Sequence, residues 1–162
     1  FGVKTSINVM DVPAHEGGES TLFNTTAAFL ALMRHDPEAA QAFMCEDSLE
    51  TRYQRNPEVN RAIGPVVRVK KDGTIETRFL DDSDITACWD EAIERNPAIA
   101  RGLDFFKSLM YNVSPFYMVT PMQSGDAFIL NNIAVSHGRA AYKDDPEKPR
   151  VLYRILSEDT CV

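Results

Sequence analysis

Extended, β-branched segments open and close this sequence and helical ones are inserted between them, which suggests an α+β fold or a decorated β-barrel. Val3 to Val12 is rich in β-branched residues, lacks a helical period and stops before Pro13, which reads as a strand followed by a loop over His15-Glu16-Gly17-Gly18. Thr21-Leu22-Phe23 resumes extended structure. Near the other end Phe116 to Pro121, Ala127 to Val135 and Val151 to Leu156 read as strands, separated by Ser124-Gly125-Asp126 and by the polar stretch Tyr142 to Pro149.

In the insertion, Asn24 or Thr25 is placed to cap a helix running through Met33, and Asp36-Pro37-Glu38 opens a second, with Pro where no helical donor is missed. Val66 to Phe79 alternates apolar positions around Lys71-Asp72-Gly73-Thr74, a hairpin signal. From Ser83 to Leu109 the spacing turns helical and breaks at Asn96-Pro97, predicting two helices laid against a sheet. No repeat or low-complexity linker interrupts the chain, so residues 1–162 read as one domain, α+β or a decorated β-barrel.

Composition narrows the function classes. With 44% hydrophobic and 25% charged positions the chain can build a core. A formal charge of -7 and scattered basic residues argue against nucleic acid as a partner. No apolar run approaches the roughly 20 residues of a membrane helix. The expectation is a cytoplasmic protein, with homo-oligomer formation left open. Cys45, Cys88 and Cys161 stand at long, unrelated spacings and read as free thiols.

The most informative stretch runs from Ser124 to Arg139: a turn, an apolar strand, then Ser136-His137-Gly138-Arg139. A His beside a Gly at a strand end is accessible to a ligand, although a lone His on a strand is more often structural. Downstream, Arg150 and Arg154 are four residues apart and so face the same side of a strand, where both can point into one cavity. Two solvated arginines on an edge strand would look the same.

Together these segments resemble the taurine dioxygenase and clavaminate synthase superfamily of iron(II)- and 2-oxoglutarate-dependent oxygenases. Gly125-Asp126 through Asn131-Asn132 to His137-Gly138-Arg139 is similar to its Gly-Asp, Asp-Asn, His-Gly-Arg pattern, and Arg150-Val151-Leu152-Tyr153-Arg154 to its Arg-x-x-x-Arg segment. Glu16-Gly17-Gly18-Glu19-Ser20-Thr21-Leu22-Phe23 resembles its Gly-Gly-(Glu/Asp)-Thr-Leu-Phe segment. The resemblance implies a mainly β fold with helical insertions, a double-stranded β-helix or jelly roll. It implies His137 as the distal iron ligand, Arg154 as the clamp on the far carboxylate of 2-oxoglutarate, Arg150 as its helper, and a hydroxyl contact from Ser20 or Thr21. Arg139 and Arg78 are candidates for a substrate anion. The implied reaction is hydroxylation of a small polar metabolite or amino acid with release of succinate and carbon dioxide. A halogenase of the same fold and a jelly-roll binding module without iron chemistry are the alternatives.

Two departures qualify this. Asn131-Asn132 stands where the pattern has Asp-Asn, a variant similar to the glutarate hydroxylase branch, as is Arg78-Phe79-Leu80-Asp81. The first iron motif, His-x-Asp or His-x-Glu, is absent: Gly17 lies two residues after His15 and Pro37 two after His35. Neither His15-Glu16 nor His35-Asp36 substitutes, since adjacent strand residues point to opposite faces and the second pair reads as a helix junction. The expectation is that the chain is the C-terminal two thirds of the domain and that the other two ligands lie upstream of Phe1.

Overall fold

A computed structural model describes residues 2–53, 61–80, 85–111 and 114–160. Strands β1 (Thr5–Val12), β2 (Glu16–Gly17) and β3 (Ser20–Asn24) lead into helices α1 (Thr25–His35) and α2 (Pro37–Phe43). Short strands β4 (Leu49–Tyr53), β5 (Arg61–Gly64), β6 (Val67–Val69), β7 (Ile75–Thr77) and β8 (Ile85–Ala87) precede α3 (Trp89–Arg95) and α4 (Ala98–Tyr111). Then come β9 (Tyr117–Thr120), β10 (Ala127–Asn131), β11 (Val135–Arg139), β12 (Tyr142–Lys143) and β13 (Val151–Ser157). The described chain is mostly strands with few helices.

The strands of the two ends meet in the same sheets. β1 runs antiparallel between β10 and β13, and β3 runs antiparallel between β11 and β9. β12 pairs with β2, which carries the Gly-Gly turn. The predicted strand over Ala127 to Val135 is two strands in different sheets, joined by a turn at Asn132-Ile133-Ala134. His137 therefore sits inside a strand rather than at the end of one.

Local chemistry accounts for the insertion's helices. The Asn24 side chain accepts from the Ala27 N–H at 2.9 Å, and that of Asp36 accepts from Ala39 at 3.0 Å, each satisfying a helix-start donor. β6 and β7 form the expected hairpin, with Gly73 at φ 84° in its turn. The helix predicted from Ser83 begins only at Trp89, because Ile85–Ala87 pairs with Thr51–Tyr53. Positions 83 and 84 lie outside the described residues.

The core lies between the β3 sheet and these helices. Phe23 meets Phe106 edge-on at 5.5 Å and Phe79 at 5.9 Å, and Phe43 packs on Phe106 at 5.2 Å. Polar stitches hold the insertion to the β10–β11 turn: Thr77 N–H donates to the Ile133 carbonyl at 2.7 Å, and the Thr25 hydroxyl donates to that of Ala134 at 2.9 Å. The Ser136 hydroxyl donates to the Phe79 carbonyl at 2.9 Å. These bonds fix the β10–β11 turn and the start of β11, the strand that carries His137.

The β4–β5–β8 sheet covers a carboxylate. Glu50, 1% exposed, accepts from Arg52 at 2.6 Å and from Arg61 at 2.8 Å through both its oxygens. These arginines hold the Glu50 carboxyl down to about 2, Arg61 most strongly, against the upward push of burial. Folded Glu50 therefore binds its proton less readily than in the unfolded chain, so its stabilisation is complete above the ordinary value of 4.5 and is lost as pH falls toward 2.

Two outcomes follow for stability. Glu50→Gln flattens the loss of urea resistance between pH 4.5 and 2, leaving the part due to Asp36, which Arg101 also holds at about 2; an unchanged slope excludes Glu50 as a contributor. Gly102→Ala lowers stability by about 1–2 kcal/mol despite the better helix propensity of Ala, because overpacking outweighs that gain. Its methyl would lie 2.7 Å from a carbon of the fully buried Phe43 ring, and a rise in the urea midpoint would contradict this.

Candidate active site

Register decides which side chains can meet. His137 lies opposite Leu22, Gly138 opposite Thr21 and Arg139 opposite Ser20. Directly paired residues project to the same side, so His137, Arg139, Leu22 and Ser20 share one face of the sheet. Thr21 shares the other with Gly138 and Phe23. Of the two hydroxyls left open by the sequence, Ser20 is on the side of His137. It is 3% exposed and donates to the Met122 sulfur at 3.0 Å. A methyl on Gly138 would approach the Thr21 hydroxyl oxygen to 3.0 Å, which accounts for the small residue after His137.

β1 inverts the usual pattern of a strand. Ser6, Asn8 and Met10 are buried, whereas Ile7 and Val9 are half-buried on the opposite face. Asn8 lies opposite Arg154 and accepts from its Nε at 3.2 Å, while donating to the Ser6 hydroxyl at 2.9 Å. Asn8 thus orients Arg154. The sequence carries this signal in the polar Ser6 and Asn8 that alternate with Ile7 and Val9.

Arg150 precedes β13, and its backbone N–H donates to Asp144 at 3.0 Å. Its Nε is buried with no partner among the described residues. Burial lowers its pKa from the usual guanidinium range, and the nearby charge of Arg139 lowers it further. The Tyr142 ring stands between the two: the Arg139 guanidinium carbon is 4.1 Å from its centroid and that of Arg150 is 5.8 Å. The Gly-Gly turn makes room for them. Gly18, at φ 77°, would carry a methyl 3.2 Å from the Tyr142 Cβ and 3.7 Å from the Arg150 Nε. Tyr142 was read only as part of a polar loop.

The remaining candidates are elsewhere. Arg78 donates to the carbonyls of Leu49 and Gly64 at 3.0 and 3.2 Å, with its Nε buried and unpartnered among the described residues. It braces the small sheet against β7. His35 is exposed and stacks on Phe105 at 5.0 Å, and His15 is exposed beside β2. Asn132 donates to the Val3 carbonyl at 3.1 Å, tying the β10–β11 turn to β1. Among the described residues no three His, Cys, Asp or Glu side chains converge to hold a metal ion. Among the described residues, the candidates are thus one imidazole on β11 and the guanidiniums of Arg139, Arg150 and Arg154. No described helix is long and apolar enough to cross a membrane.

The chain is similar to known proteins in sequence and in fold. A protein called uridine-5'-phosphate dioxygenase, from an Amycolatopsis species, is 34% identical over 155 residues, 95% of this chain and 55% of its own length. One of the same name from a Streptomyces species is 31% identical, again over 95% of this chain, and 56% of its length is covered. The chain thus spans just over half of each relative. A crystal structure of an asparagine oxygenase with Fe(II), a hydroxyasparagine and succinate shares the fold at a TM-score of 0.63 and 15% identity, over 94% of this chain and 44% of that one. The family pattern of the taurine catabolism dioxygenases matches residues 9–156, and the chain belongs to this TauD, TfdA family.

Proposed function

We propose that the protein is an iron(II)- and 2-oxoglutarate-dependent dioxygenase, built on a double-stranded β-helix, that hydroxylates a small polar metabolite with release of succinate and carbon dioxide. The substrate class we favour is a nucleoside 5'-phosphate, by similarity to relatives named for uridine-5'-phosphate. The observation that carries the reading is the buried, unpartnered Nε of Arg150 near the strand that bears His137. A buried donor without a partner is costly, and a carboxylate would satisfy it with charge-assisted bonds.

His137 supplies one of the three protein ligands such a centre takes, and the reading draws the second His and the carboxylate from outside these 162 residues. When bound, iron with 2-oxoglutarate supplies oxidative decarboxylation coupled to oxidation of a substrate C–H bond. The chain's own residues position. Ser136, bonded to Phe79, fixes the strand on which His137 points the opposite way. Arg150 and Arg154 hold the oxoacid, Arg150 as the closer fit because its donor is unsatisfied and half-buried, whereas Arg154 is exposed and already engaged by Asn8. Ser20 adds a hydroxyl on the same face as His137.

The test is anaerobic titration of the full-length protein with iron(II) and 2-oxoglutarate, read by the visible charge-transfer absorption. The parent gives the band and His137→Ala loses it. Arg150→Ala raises the oxoacid concentration needed by about tenfold or more, in line with loss of hydrogen bonds to a charged group, and Arg154→Ala raises it less. An iron-loaded parent without the band would sink the oxygenase reading and leave a binding module.

A further inference from the structure

We propose that Arg139, whose guanidinium lies over the Tyr142 ring, recognises the substrate's phosphate, so that a phosphate ester rather than a neutral nucleoside is what this site selects. This rests on the dioxygenase reading and adds a specificity residue to it.

Three observations carry the assignment. Among the described residues neither Arg139, Arg150 nor Arg154 has a carboxylate within ion-pairing distance, whereas Arg52, Arg61, Arg95 and Arg101 each have one. With Arg150 and Arg154 taken up by the oxoacid, the Arg139 guanidinium is left over beside Arg150. The second observation is the stack itself. A guanidinium held over a ring by cation–π attraction still has N–H groups to offer an anion, and the Arg139 guanidinium carbon is 4.1 Å from the Tyr142 centroid. The third is position. Arg139 and His137 are two apart on β11 and project to one face, so they are separated by roughly 7 Å along the strand. An anion on Arg139 therefore holds the rest of a small substrate beside His137.

The two like charges flanking Tyr142 favour a dianion over a neutral group. Arg139 helps depress the Arg150 pKa, a repulsion that a phosphate next to both would relieve. If Arg139 only braced the β11–β12 corner, its removal would weaken every ligand alike.

The experiment measures the dissociation constants of uridine 5'-monophosphate and of uridine by calorimetry on the full-length protein, with the oxoacid titration run in parallel. Arg139→Gln weakens the monophosphate by about tenfold or more and leaves uridine and 2-oxoglutarate unchanged, the size expected for a charged hydrogen bond. Arg139→Lys keeps the charge but loses the fork and is intermediate. Tyr142→Leu, which removes the platform and keeps Arg139, also weakens the monophosphate selectively. Equal weakening of nucleotide and nucleoside, no weakening of either, or a parent that binds uridine as tightly as its monophosphate would each overturn the assignment. A missing charge-transfer band would instead count against the dioxygenase reading, so the two failures are separable.

Discussion

The alternation of β3 divides the molecule. Every second residue of this five-residue strand turns to one of two environments, and their contents differ completely. Phe23 enters the aromatic core with Phe79 and Phe106, which fastens the helical insertion to the sheet. Ser20 and Leu22 turn the other way, toward the face shared with His137 and Arg139. A slip of one residue in the pairing would carry Phe23 to the site and Ser20 to the core, so burial of one aromatic ring sets the register of the functional face. The bonds from Thr25, Thr77 and Ser136 act on the same object from the insertion, each gripping the turn or strand that presents the imidazole.

Much of this was legible because short-range rules wrote it. Asn24 and Asp36 announced their helices through capping chemistry, and Asp72-Gly73 announced a hairpin. The β-branched composition of the two ends implied strands, although which of them pair was not written there. What escaped were features whose cause lies far along the chain. The β4–β5–β8 sheet is held around Glu50, a charged residue in a strand, whose burial makes sense only when Arg61 closes over it from eleven residues away. The helix predicted from Ser83 lost its first turn to that same sheet. The strand through Ala127 to Val135 was read as continuous because its apolar residues are, yet the turn after Asn131 sends its halves to different sheets.

The candidate site was legible in part for a different reason. His137, Arg150 and Arg154 stood out by motif, but Asn8 and Tyr142 owe their positions to contacts with partners 146 residues and a turn away, respectively. Charge shows the same contrast of scale. The chain carries -7 overall, and carboxylates neutralise Arg52, Arg61 and Arg101, yet Arg139, Arg150 and Arg154 lack a carboxylate partner among the described residues. Net charge describes the long-range field and says little about two guanidiniums that meet beside one tyrosine ring.

The inverted alternation of β1 reaches beyond the site. With Ser6 and Asn8 turned inward, the opposite face of the β10–β1–β13 sheet receives Ile7, Val9, Ile129, Tyr153 and Ile155, the last three each more than half exposed. A contiguous apolar strip of this kind is a thermometer in solution behaviour. Because the drive to cover it strengthens with warming and with excluded salts such as sulfate, a chain of these residues stays dispersed best in cold, low-salt buffer. The polarity that lets one side of β1 orient an arginine is thus what makes its other side adhesive.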